Sequence, residues 1–118
     1  MNPNLILTHL LLLLPQEHLS EPEQSALIAK DRGWKAEVAL ADGSRADLIS
    51  EQYAVEVEWA PKWKEAPAQA TLYALLADKK PLVILLTKGD SAEKLHILRC
   101  KLVCEKLGIK LETIKARN

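Results

Sequence analysis

The chain has no excess of either charge: 16 basic and 16 acidic side chains cancel over 118 residues. A dedicated nucleic-acid binder usually shows a clearly basic domain, so tight binding regardless of sequence is not expected. Cysteine is scarce too. Cys100 and Cys104 stand four apart on an expected helix, a poor geometry for a disulfide, and no Cys-x-x-Cys or Cys/His set supports a zinc site. Both read as small core residues, compatible with a reducing, cytoplasmic setting. No apolar run reaches bilayer length, since Leu5 to Leu14 is stopped by Pro15, and no membrane span is expected. Internal repeats, low-complexity tracts and linkers are also lacking.

What remains suits one globular domain over residues 1–118, because 48% hydrophobic composition is enough to bury a single core. Charge is nevertheless unevenly placed. Residues 1–60 carry 4 basic and 10 acidic side chains, and residues 61–118 carry 12 and 6. An acidic half suits a cation, and a basic half suits a polyanion.

Asn2 and Pro3 open an expected apolar helix over residues 1–15. A helix apolar on nearly every side must bury itself, against the domain or against a second copy, so a homodimer through this helix is expected. A signal peptide or a membrane-associated helix is the other use of such a run. His9 and His18 lack a partner motif and read as structural. Ser20 caps a second helix, with Glu23 at the capping-box position and Gly33 at its end. Lys35 to Leu40 and Ser44 to Ile49 alternate as strands, and Tyr53 to Trp59 follows after a short turn. A helical region from Lys62 to Asp78 is interrupted at Pro67, so its long part is expected to start there. Pro81 to Thr87 reads as a strand covered on both faces, parallel to a neighbour. Residues 91–107 are predicted helical, with Leu95, Leu98, Leu102, Val103 and Leu107 as the apolar face and Gly108 as the stop. Ile109 to Ile114 is a last strand. The expected order is helix, helix, three strands, helix, strand, helix, strand: an α/β fold with a mixed sheet of about five strands between helices.

The chemistry concentrates between Arg45 and Tyr73. Alternation along Tyr53 to Trp59 puts Glu56 and Glu58 on one face and Val55 and Val57 on the other. With Glu51 and Gln52 as a two-residue turn, Asp47 faces Glu56 and Arg45 faces Glu58. A slip of one residue would turn Asp47 to the valine side. Like charges directly opposite destabilise a sheet, and a hard cation such as Mg²⁺ or Mn²⁺ compensates by taking carboxylate oxygens and water. Such a metal points to phosphodiester hydrolysis. The same pattern also suits a solvated polar face with an Arg45–Glu58 ion pair.

This order, with an acidic hairpin followed by a helix carrying Gln69-x-x-x-Tyr73, resembles the PD-(D/E)XK nuclease superfamily. That restriction-endonuclease-like group includes restriction enzymes, Holliday-junction resolvases and phage-type exonucleases. The resemblance is clearest from Glu37 to Tyr73. Arg45 to Gln69 is also similar to small bacterial proteins of unassigned role. The resemblance implies that Asp47, Glu56 and Glu58 bind metal and that Gln69 and Tyr73 position the phosphate or nucleophile. The family's lysine stands two residues after the second acid, where this chain has Glu58, a departure shared with some restriction enzymes. Lys62 or Lys64 looks like a migrated lysine, with Lys62 the first choice; Glu58 has general base as its other role. Many members also place an acid on the first core helix, for which Glu23 is the positional candidate, although capping explains it equally well.

The expectation is therefore a Mg²⁺- or Mn²⁺-dependent nuclease acting on nucleic acid, DNA before RNA, with Asp47, Glu56, Glu58, Lys62, Gln69 and Tyr73 as its site. The alternative is an inactive nuclease-like fold used as a binding or assembly module. Trp34, Trp59 and Trp63 are candidate base-stacking platforms, with a core or interface position the other reading for Trp59 and Trp63.

Overall fold

The structure, a computed structural model, describes residues 3–4 and 17–118. Apart from Pro3 and Asn4, which are helical, the apolar helix expected over residues 1–15 lies outside the described residues, as does any dimer made through it.

Five strands form one mixed sheet in the order β1 (Lys35–Ala39), β2 (Arg45–Ile49), β3 (Tyr53–Trp59), β4 (Lys80–Thr87), β5 (Lys110–Lys115). The first three make an antiparallel meander, and β3, β4 and β5 run parallel. Helix α1 (Glu21–Arg32) precedes the sheet, α2 (Ala66–Ala77) links β3 to β4, and α3 (Glu93–Leu107) links β4 to β5. Both crossovers step the same way across the sheet, so the usual right-handed connection puts α2 and α3 on one face. The apolar clusters agree with this. Val55, Val57, Leu82, Ile84 and Leu86 pack with Ile28 and Ala29 of α1, whereas Val83 and Leu85 pack with Ala66, Ala70, Cys100 and Cys104. The Leu82–Leu86 run is fully buried because it is the strand with helices on both sides.

Local signals set the boundaries. Ser20 and Glu23 form the capping box of α1, and Gly33 ends it in the left-handed region at φ 70°. Pro61 starts a 3-10 segment, Ala60–Glu65, and Pro67 sits in the first turn of α2, which begins as expected beside that proline.

One expected face is corrected. Leu95, Leu98, Leu102 and Leu107 of α3 are exposed, as are Leu72 and Leu75 of α2, and the helix instead buries Cys100 and Cys104 with Ile97 and Val103 half-covered beside them. The α3 sequence offers two apolar stripes. The one with smaller side chains faces inward, where α3 meets Trp63 and Ala66.

Candidate active site

The hairpin turn is the expected one. Ser50 N–H donates to the Tyr53 carbonyl at 2.9 Å, and Tyr53 N–H donates to the Ser50 hydroxyl at 2.8 Å. Ile49 then pairs with Ala54 and Leu48 with Val55. Beyond that point the ladder stops. The Asp47 carboxylate replaces a backbone acceptor, taking the Val57 N–H at 2.7 Å from Asp47 Oδ2. Arg45 is exposed and forms no ion pair with Glu58; among the described residues the ion pairs are Arg32–Glu112 and Arg117–Asp31.

Asp47 lies on the same face as Glu56, because its neighbour Leu48 points into the α1-side cluster with Val55 and Val57. Glu56 is aligned with Val83 of β4, whose side chain packs under α2 and α3. Tyr73, half-buried on α2, meets the acids there: burial and the facing Glu56 and Asp47 carboxylates push its phenol up.

A further carboxylate joins them from α1. It is Glu21, not Glu23: Glu23 is exposed and spent on the Ser20 cap, whereas Glu21 lies beside Asp47. Buried Gln24 fixes this helix start by donating to the carbonyls of Leu19 at 3.2 Å and Arg117 at 2.8 Å, while Arg117 N–H returns to Gln24 Oε1 at 3.1 Å. Glu21 escaped sequence reasoning because nothing within α1 marks it. Its only local signal is its place in the first turn, next to Pro22.

Crowding acids in a half-dry place raises their proton affinity. Burial, then the Asp47 charge, pushes Glu56 up to about 9. Burial and Asp47 also push Glu21 up to about 7, against the hydroxyl of Ser25, which donates to Glu21 Oε1 at 3.3 Å. Asp47 is raised less decisively, burial being opposed by the Val57 N–H. Glu37 adds to the negative field at Asp47. It stands between two paired positions of β1 with φ 54°, in the left-handed region that an L residue seldom adopts, and it leaves Asp47 without a ladder partner on that side too.

Glu58 contributes charge to this group, but its Oε1 accepts the Trp59 N–H at 2.9 Å. It also lines a shallow groove of about 300 Å³ with Pro61, Lys62, Lys64 and Glu65. The structure therefore brings Lys62 and Lys64 beside Glu58. Lys62 itself has non-helical angles, φ −103° and ψ 24°, inside the 3-10 segment. Gln69 lies one turn before Tyr73 and is half-buried, and its side chain makes no hydrogen bond to the acids. Trp63 is buried in the α2 and α3 cluster, Trp34 lies under the Arg32 guanidinium, and Trp59 is half-buried at the end of β3.

Among the described residues, no three His, Cys, Asp or Glu side chains are arranged to hold one ion as they stand. The donor chemistry nonetheless fits a hard cation. All the candidate ligands are carboxylate oxygens, and Glu56 Oε2 is buried with no hydrogen-bond partner. Mg²⁺ is usually held by one or two protein carboxylates with water completing its shell, so Asp47 and Glu56 suffice as a pair. No family model, no curated protein and no solved structure matches the chain.

Proposed function

We propose that this protein is a divalent-metal-dependent nuclease of the PD-(D/E)XK type, hydrolysing phosphodiester bonds in nucleic acid, DNA before RNA, in the reducing cytoplasm where Cys100 and Cys104 stay free. The observation that carries this reading is the buried, partnerless Glu56 Oε2 set among Asp47, Glu58 and Glu21. Asp47 and Glu56 would hold Mg²⁺ or Mn²⁺, with Glu58 and Glu21 at its margin. Bound there, such a metal polarises a phosphate oxygen and generates hydroxide from water.

The chain's own residues divide the remaining work. Lys62, exposed beside Glu58, offsets charge on the phosphate and orients the attacking water. Tyr73 keeps its proton at any ordinary pH and would offer it as a hydrogen bond to the phosphate or nucleophile. Gln69 extends that donor row along α2. A homodimer belongs to this reading only as an expectation from residues 1–15.

Two features favour an inactive nuclease-like binding module instead: Glu58 stands in the family's lysine position, and among the described residues no three-carboxylate grip is preformed. One pair of experiments decides between them. Metal-dependent cleavage of DNA that disappears in Asp47→Asn supports the nuclease. A folded protein that cuts no form of DNA or RNA with either metal, and shows no saturable Mn²⁺ heat lost in Glu56→Gln, leaves the binding module.

A further inference from the structure

Trp59 stands one residue beyond Glu58, at the end of β3, with its side chain against the α1-side cluster, and is flanked by two grooves of which the nuclease reading uses only Lys62. One, of about 360 Å³, is lined by Trp59, Pro61, Lys62 and Lys88; the other, of about 460 Å³, by His18, Trp59 and Lys88. The Lys88 ammonium lies 5.4 Å from the indole centroid, and His18 meets the ring edge-on at 6.2 Å. An exposed cation over an indole is a weak attachment, easily exchanged for a better partner.

Lys88 is held by its backbone and not by its tip. Buried Glu93 accepts from the Lys88 N–H at 2.9 Å, the Asp90 N–H at 3.0 Å and the Thr87 hydroxyl at 3.1 Å. The loop after β4 is thereby pinned, and the Glu93 carboxylate is already engaged by these donors. Lys62, Lys64 and Lys88 take no part in any ion pair among the described residues. Asp90 and Glu17 are the exposed carboxylates facing these grooves, so the local charge is mixed and binding should be modest.

We propose that the groove around Trp59 receives one unpaired nucleotide, its base against the indole and its phosphates on Lys88 and Lys62, so that the substrate is single-stranded or frayed nucleic acid. The requirement for an unpaired base follows from access. A base in a duplex has both faces stacked on its neighbours, and only a splayed base presents a face to an aromatic ring. As the base enters, the Lys88 ammonium leaves the ring for the adjoining phosphate. The groove shares Pro61 and Lys62 with the one that Glu58 lines, so a nucleotide against Trp59, on the α1 side of the sheet, reaches the acid cluster round the end of β3 past Lys62.

This proposal rests on the nuclease reading for its purpose, but its binding step needs no metal and is measured without it. In EDTA, anisotropy of a fluorescein-labelled poly-thymidine strand, long enough to fill a site of ~4–16 nucleotides, is compared with that of a blunt duplex. The strand should bind at least about fivefold tighter, and Trp59→Leu should remove that preference by weakening the strand alone. Lys88→Ala should weaken strand binding and lower the slope of log affinity against log salt by about 0.7. Circular dichroism checks that each variant is folded; should Trp59→Leu fail, the strand preference and the Lys88→Ala slope decide. Equal affinity for strand and duplex, or a Lys88→Ala slope equal to wild type, overturns the proposal. Mn²⁺ calorimetry on the same samples separates the two readings: metal bound at Glu56 without strand preference sinks only the groove, and strand preference without metal sinks only the nuclease.

Discussion

The Asp47 carboxylate stands where a backbone carbonyl would stand, accepting the Val57 N–H at 2.7 Å and closing the β2–β3 ladder with a side chain. The strands can therefore part at the point where Glu56 needs room, and one carboxylate serves both fold and site. Its two duties separate by substitution. Asp47→Asn keeps an acceptor oxygen and should leave stability near wild type while abolishing metal-dependent cleavage. Asp47→Ala strands the Val57 N–H and should cost about 1–3 kcal/mol in urea unfolding. Equal stability of the two variants would show that the bond to Val57 matters little.

Glu56 is ionised only at the expense of the fold. Without metal, Glu56→Gln should raise the melting temperature at pH 8, because the amide removes an acid whose charged form burial disfavours. The same variant should show no heat of Mn²⁺ binding. Destabilisation by Glu56→Gln in EDTA would contradict the crowding of carboxylates.

The pH dependence has a definite sign. Glu56, pushed up to about 9, and Glu21, up to about 7, keep protons in the fold at pH values where the unfolded chain has lost them. The folded state then binds more protons, so metal-free stability should be greatest near the ordinary carboxylate range and fall as pH rises towards 9. Saturating Mn²⁺ should flatten or reverse that fall, since metal displaces those protons. Melting curves from pH 5 to 9 with EDTA and with Mn²⁺ test both arms, and a metal-free maximum above pH 8 would refute the assignment.

Glu93 should behave as structure, not chemistry. Glu93→Ala leaves two N–H groups and the Thr87 hydroxyl without their acceptor and should cost about 2 kcal/mol or more, with Mn²⁺ affinity at the Asp47–Glu56 pair unchanged. Urea titration and calorimetry read the two quantities separately.

The exposed stripe of α3 and the β4 core beneath that helix should differ sharply. Leu98→Ser, at an exposed position, should change stability by no more than ~0.5 kcal/mol. Leu85→Ala, beneath the same helix, should cost ~2–5 kcal/mol. A large loss in Leu98→Ser would mean that the stripe is covered in solution.

The amino-acid sequence alone settled what is local. Ser20 and Gly33 bound α1, the Glu51–Gln52 turn set which residues of β2 and β3 face each other, and the unbroken Leu82–Leu86 run required a strand covered on both faces. Each depends on backbone periodicity or on a cap read within a few residues, and Asp47 and Glu56 share a face for that reason. Tertiary structure alone decided that Glu21 joins them, since its position depends on Gln24 binding the backbone of Arg117 at the far end of the chain. It alone chose between the cysteine and leucine stripes of α3, because helix periodicity fits both and only the shape of the surface beneath selects one.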